Sequence, residues 1–110
     1  MMTLNEYQKQ SRGTAVYPGT GGIGGLTYAT LALCGETGEL ANKLKKHLRA
    51  GTEPDSDVLS DELGDVLWYV GAVAHELGKD LESVAQENID KLAKRKAQRL
   101  ICDTEARPVE

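Results

Sequence analysis

Apolar residues recur every three or four positions along four stretches of this chain, and each stretch is bounded by residues that start or stop helices. Thr3-x-x-Glu6 is a capping-box signature that opens a short helix over residues 3–12. Residues 13–25 carry glycine at 13, 19, 21, 22, 24 and 25 around Pro18, and read as a mobile connection or lid. A long helix is expected over 26–50, stopped by Gly51. Pro54, Asp55, Ser56 and Asp57 supply the next turn and N-cap. A third helix then runs over 57–77 to Gly78, and Asp80 caps a fourth over 80–98. The pattern predicts an all-α bundle of about four helices: a short N-terminal one, a Gly-rich loop, then three longer ones. It forms a single domain with its core over about 4–98 and an irregular tail over 101–110.

At about 100° per residue, Leu26, Ala29, Leu33, Leu40, Leu44 and Leu48 make the apolar stripe of the second helix. Leu59, Leu63, Val66, Val70, Val73 and Leu77 are expected to face inward on the third. Two acidic pairs border these stripes: Glu36-Thr-Gly-Glu39 and, after residues 40–61, Glu62-Leu-Gly-Asp65. Acids three apart share a helix face, and both pairs are offset to the same side. An antiparallel hairpin of the two helices therefore brings all four toward one cleft. Lys43 and Lys46 continue the first acidic row, and Tyr69 the second. In the fourth helix Asn88 sits among Leu81, Val84, Ala85 and Leu92, with Lys91 and Arg95 at the edge.

Acids on a helix usually mark a solvated face. Two pairs at stripe borders are different, because partly desolvated carboxylates that converge repel one another unless a cation neutralises them. An all-oxygen donor set without His or Cys selects Mg²⁺, with Mn²⁺ as a substitute. A di-iron bundle would need Glu-x-x-His pairs, and His47 and His75 lie away from both motifs.

Composition narrows the class. The 110 residues include no Phe, one Trp and four Tyr, so the core must be built from Leu, Val and Ala, which favours helices. A formal charge of −4 argues against binding a nucleic-acid polymer, and no apolar run approaches the ~20 residues of a membrane span. Cys34 and Cys102 have neither disulfide-framework nor metal spacing, which points to reduced thiols in a cytoplasmic protein.

The two acidic motifs resemble the signature of the MazG-like all-α nucleoside triphosphate pyrophosphohydrolases. Flanking text agrees: Asn5-Glu-Tyr-Gln8, Tyr28-x-x-Leu-Ala-Leu-x-Gly-Glu-x-Gly-Glu-Leu-Ala41, Lys45-Lys46, Glu62-Leu-Gly-Asp-Val-Leu-Trp-Tyr69, and Asn88-x-x-Lys91-Leu-x-x-Arg95. The likeness covers about residues 4–96. It implies metal-dependent hydrolysis of a (d)NTP between the α- and β-phosphorus to a monophosphate and pyrophosphate, in nucleotide-pool house-cleaning. It implies Glu36, Glu39, Glu62 and Asp65 as Mg²⁺ ligands and Asn88 and Lys91 as substrate contacts, in a homodimer or homotetramer. Arg95 and Lys43 join the candidate substrate contacts by position, and Glu36 and Glu39 are the candidate catalytic acids, with Glu36 first because it lies nearest the core. The nucleophile is water, since no Ser, Cys or His is placed with a base. Many relatives carry a further Glu where this chain has Gly35, which removes one candidate base. The rival reading is a catalytically silent helical module that binds a nucleotide–metal complex or mediates oligomerisation.

Three other features weigh less. Gly19-Thr-Gly-Gly-Ile-Gly24 matches a dinucleotide-binding pattern in letters, but no strand precedes it. The basic run from Lys91 to Arg99 complements a helix C-terminus. Trp68 is assigned to the side of its helix opposite Asp65, as a core or interface residue rather than a base-stacking platform.

Overall fold

The computed structural model describes residues 1–101, with side chains through 99, so the expectations for Cys102 and the rest of the tail lie outside the described residues. In chain order come α1 (Leu4–Ser11), a 3₁₀ turn (Arg12–Thr14), α2 (Ile23–Ala50), α3 (Ser56–Glu76) and α4 (Leu81–Ile101). The helix ends follow the capping chemistry. The Thr3 hydroxyl accepts from the Glu6 amide at 3.0 Å while the Glu6 carboxylate accepts from the Thr3 amide at 2.7 Å. Gly51, at φ 70°, closes α2, and the Asp55 carboxylate accepts from the amides of Asp57 and Val58 to open α3.

α4 is capped largely by a distant part of the chain. Its Ser83 amide donates to Asp80 at 2.8 Å, but the Leu81 amide donates to the Gln8 side chain and the Glu82 amide to the Asn5 side chain, each at 3.0 Å. Gln8 also donates to the Lys79 carbonyl at 3.0 Å and the Gly71 carbonyl at 3.3 Å, so one buried amide joins α1, α3 and the start of α4.

α2 and α3 form the antiparallel hairpin, as the pairs Lys43–Glu62 and Ala29–Ala72 require. Ala29 and Ala72 are almost wholly buried, and their small side chains let the two helices approach closely. Tyr17 completes this centre, with Ala15, Trp68, Tyr69 and Val73 packed around it. The core is thin: among the described residues no large side chain is fully buried.

Three expectations need correction. α2 begins at Ile23 rather than 26, because the last three residues of the glycine-rich segment, Ile23, Gly24 and Gly25, are helical. The rest of that segment is structured: the Gly19 carbonyl accepts from the amides of Gly22 at 3.1 Å and Gly25 at 2.8 Å. Finally, the expected inward stripe of α3 is turned outward by about one residue. Leu63 and Leu77 are more than half exposed, while the line toward α2 is Glu62, Asp65, Tyr69, Ala72 and Glu76. Helix approach through small residues, with the acids paired or clustered on the inner line, outweighs burial of the larger apolar stripe within one chain.

Candidate metal centre and aromatic cleft

Glu36 comes from the middle of α2, and Glu62 and Asp65 from the middle of α3. Each offers a carboxylate oxygen, and these oxygens all lie within 4.8 Å of one another. That spacing suits three ligands of a single hard cation. The structure therefore draws together three of the four sequence-chosen acids. Glu39, one turn beyond Glu36, is exposed beside Gly38, Ala41, Asn42 and Lys45, outside the group.

The electrostatics point the same way. Burial, then the charges of Asp65, Glu62 and Glu39, pushes the Glu36 carboxyl above its ordinary range. Positive charge is already recruited: the Lys43 ammonium stands 3.0 Å from Glu62 Oε1, and this contact raises the lysine pKa. Lys43 is thus placed at the acids. Glu62 is buried and Asp65 exposed, so the group has one face rooted in protein and another open.

Beside the acids opens a cleft of about 420 Å³ lined by Thr14, Val16, Tyr17, Pro18, Tyr28, Glu36, Asp65, Trp68 and Tyr69. Its walls are aromatic. Tyr17 and Tyr28 stack at 5.9 Å with 8° between their planes, and Trp68 meets Tyr17 edge-on at 6.2 Å and Tyr69 at 4.9 Å. The expected place of Trp68 was mistaken: it follows Asp65 by three positions, about 60° around the helix, and shares its face. The indole N–H donates to the Thr14 hydroxyl at 3.0 Å, which fixes the ring against the segment before α2. Burial, followed by the nearby Tyr28, Glu36 and Asp65, raises the Tyr69 phenol, placing that ring between the aromatic and acidic parts.

Asn88, Lys91 and Arg95 lie on α4, and among the described residues none of them lines this cleft. Asn88 and Lys91 are exposed, whereas Arg95 is half-buried. Sequence reasoning missed Glu76, Tyr17 and Tyr28. Glu76 carried a readable signal, since it extends the 3–4 spacing of Glu62, Asp65, Tyr69 and Ala72.

Residues 26–100 match the family model of the MazG nucleotide pyrophosphohydrolase domain. The chain is also similar to the Gene 37 protein of Mycobacterium phage L5, with 46% identity over 102 residues, 86% of this chain and 90% of the phage protein. No solved structure matches. Among the described residues no helix is long and apolar enough to cross a membrane. Three clustered acids on a helical hairpin, with a family match spanning the hairpin and α4, lead to one assignment: the chain belongs to the MazG nucleotide pyrophosphohydrolase family.

Proposed function

We propose that the chain hydrolyses (d)NTPs between the α- and β-phosphates to (d)NMP and pyrophosphate, with Mg²⁺ held by Glu36, Glu62 and Asp65. The observation that carries this reading is the opening of the three-carboxylate group directly onto an aromatic cleft. A nucleotide needs those two environments side by side, one for its phosphates and one for its base. The donor set fits a hard divalent cation, and the mutual repulsion felt by Glu36 is what such an ion would relieve. When bound, the ion supplies Lewis acidity and charge neutralisation at phosphate oxygens.

The chain's own residues supply the rest. Tyr28, Trp68 and Tyr69, set around the buried Tyr17, offer ring faces on which a base stacks, worth about 1–3 kcal/mol per base. Glu36 accepts the proton of the attacking water because it lines the cleft, whereas Glu62, rather than Glu36, is the acid nearest the core and is held by Lys43. Lys43 adds positive charge beside the acids for the phosphates. Glu39 contributes negative potential from outside the group, and Asn88, Lys91 and Arg95 act on substrate through assembly into a homodimer or homotetramer that brings α4 to a cleft. Removal of unwanted nucleotides from the pool is the role such a reaction fits.

A pyrophosphate-release assay over a panel of (d)NTPs with Mg²⁺ tests the reading. Release of pyrophosphate with ¹⁸O from labelled water in the monophosphate is the expected result. Nucleotide binding without turnover would instead favour the silent nucleotide-binding module.

A further inference from the structure

Glu76 lies on the inner line of α3, eleven residues beyond Asp65, so about 16 Å of helix separates it from the acidic group. It cannot share a metal or a phosphate with that group. Its side chain is nonetheless fully shielded from solvent. A shielded carboxylate is costly unless donors converge on it, and here they do. The Tyr17 hydroxyl donates to Oε2 at 2.6 Å, the Gly21 amide donates to Oε1 at 3.0 Å, and the Arg12 guanidinium stands 3.8 Å from Oε2. The Tyr17 bond, followed by that from Gly21, holds the carboxyl below its ordinary range, so it is ionised at neutral pH.

The two donors and the Arg12 guanidinium all belong to the segment that walls the aromatic cleft. Arg12 packs over the Tyr17 ring at 5.3 Å from its centroid, and its buried Nη1 has no hydrogen-bond partner. Tyr17 in turn stacks on Tyr28 and meets the edge of Trp68. The turn over 18–22 has little else to fix it. Gly19 and Gly21 sit at φ 78° and 91°, and the turn's other hydrogen bonds are local: the Gly22 and Gly25 amides to the Gly19 carbonyl, the Leu26 amide to the Gly22 carbonyl, and the Thr20 hydroxyl to the Tyr17 carbonyl. A glycine-rich turn loses much backbone entropy on ordering and needs an external tether. Glu76 is that tether.

We infer that Glu76 is a positioning residue for the nucleotide: by holding the Tyr17 hydroxyl and the Gly21 amide it sets the aromatic wall on which the base stacks. This inference rests on the proposed activity for its substrate, but its structural half does not. The claim separates base placement from phosphate chemistry, because the acids and Lys43 do not touch the tether.

The test compares wild type with Glu76→Gln and Tyr17→Phe. Glu76→Gln turns one acceptor into a donor and leaves Tyr17 or Gly21 facing an N–H. The expected result is KM for the preferred (d)NTP raised about tenfold, with kcat and the Mg²⁺ requirement changed less than about threefold. Tyr17→Phe should move KM the same way by less, and Glu76→Asp should recover part of the loss. Trp68 is the sole tryptophan, so its emission reports the wall directly. It should shift in Glu76→Gln, and its quenching by an α,β-methylene triphosphate with Mg²⁺ should need more ligand. A Glu76→Gln protein that melts lower yet keeps wild-type KM and wild-type quenching overturns the proposal in favour of a merely structural role. If Glu76→Gln does not fold, Tyr17→Phe decides, and wild-type KM there overturns it. If the wild type binds the analogue but cleaves no nucleotide, the proposed activity fails and the quenching arm alone judges Glu76. A wild type that neither cleaves nor binds overturns both.

Discussion

Glu36 sits where a carboxylate is unfavourable without a cation: burial, and then the charges of Asp65, Glu62 and Glu39, raise its pKa. Divalent cation should therefore stabilise the fold by mass action. At tenfold its Kd the gain is about 1.4 kcal/mol, or roughly 6 °C in melting temperature for a domain of this size. Asp65→Asn should abolish the response to Mg²⁺ and Mn²⁺, whereas Glu39→Gln, outside the group, should keep most of it. Thermal melts across a metal titration check both. An unresponsive wild type would mean that the three oxygens hold no ion. Glu76 behaves oppositely under acid. Its folded-state pKa is depressed, so its contribution is complete above the ordinary glutamate range and drains away as pH falls through the lower native value. Trp68 emission should accordingly stay native through the ordinary glutamate range and change only as pH falls below it. A change within that range would place the Glu76 carboxyl in an ordinary environment.

Elements were more legible in the sequence than the contacts between them. Thr3, Gly51, Asp55, Gly78 and Asp80 mark helix ends through interactions spanning a few residues, and the structure places the helix limits close to them. The acids of α2 and α3 were legible because their 3-residue spacing survives in any helix. The contacts that hold the aromatic wall were not, since Tyr17 and Glu76 lie 59 positions apart and Gln8 reaches Gly71 across 63. The orientation of α3 misled for a related reason: its largest apolar residues form the clearest stripe, yet the hairpin closes through alanines. The start of α2 offers a sharp check. A Cβ on Gly25 would fall 2.6 Å from the Gly19 carbonyl oxygen and 2.9 Å from Glu76 Oε1, whereas one on Gly24 would meet its nearest atom at 3.6 Å. Gly25→Ala should cost about 1–3 kcal/mol, and Gly24→Ala should stabilise by up to about 1 kcal/mol through helix propensity. Denaturant melts of the two variants distinguish them. Equal effects would mean that the turn yields without resistance.

The whole molecule is more open than its size predicts. Its radius of gyration is 17.6 Å and its accessible surface 8017 Å², against about 13 Å and about 5,900 Å² for a compact monomer of this mass. Leu31, Leu48, Leu63, Leu77 and Ile89 are each more than half exposed. Apolar surface on this scale is what self-association buries, and sedimentation at micromolar concentration should give a dimer or tetramer. A monomer near 11.9 kDa that still hydrolyses nucleotides would show the site to be complete in one chain.

The borrowed caps of α4 carry a consequence for how the chain is steered. The first amides of that helix are held by Asn5 and Gln8, so the heading of the last twenty described residues is set by the first ten, as a tiller sets a rudder. Removing these two caps should leave the metal response in place while letting α4 swing. In Asn5→Ala/Gln8→Ala, hydrogen exchange should quicken across 81–99 and stay slow across 60–67, short of the Gly71 carbonyl that Gln8 also holds. Uniform quickening would mean that the chain responds as one cooperative block, with no separate rudder to turn.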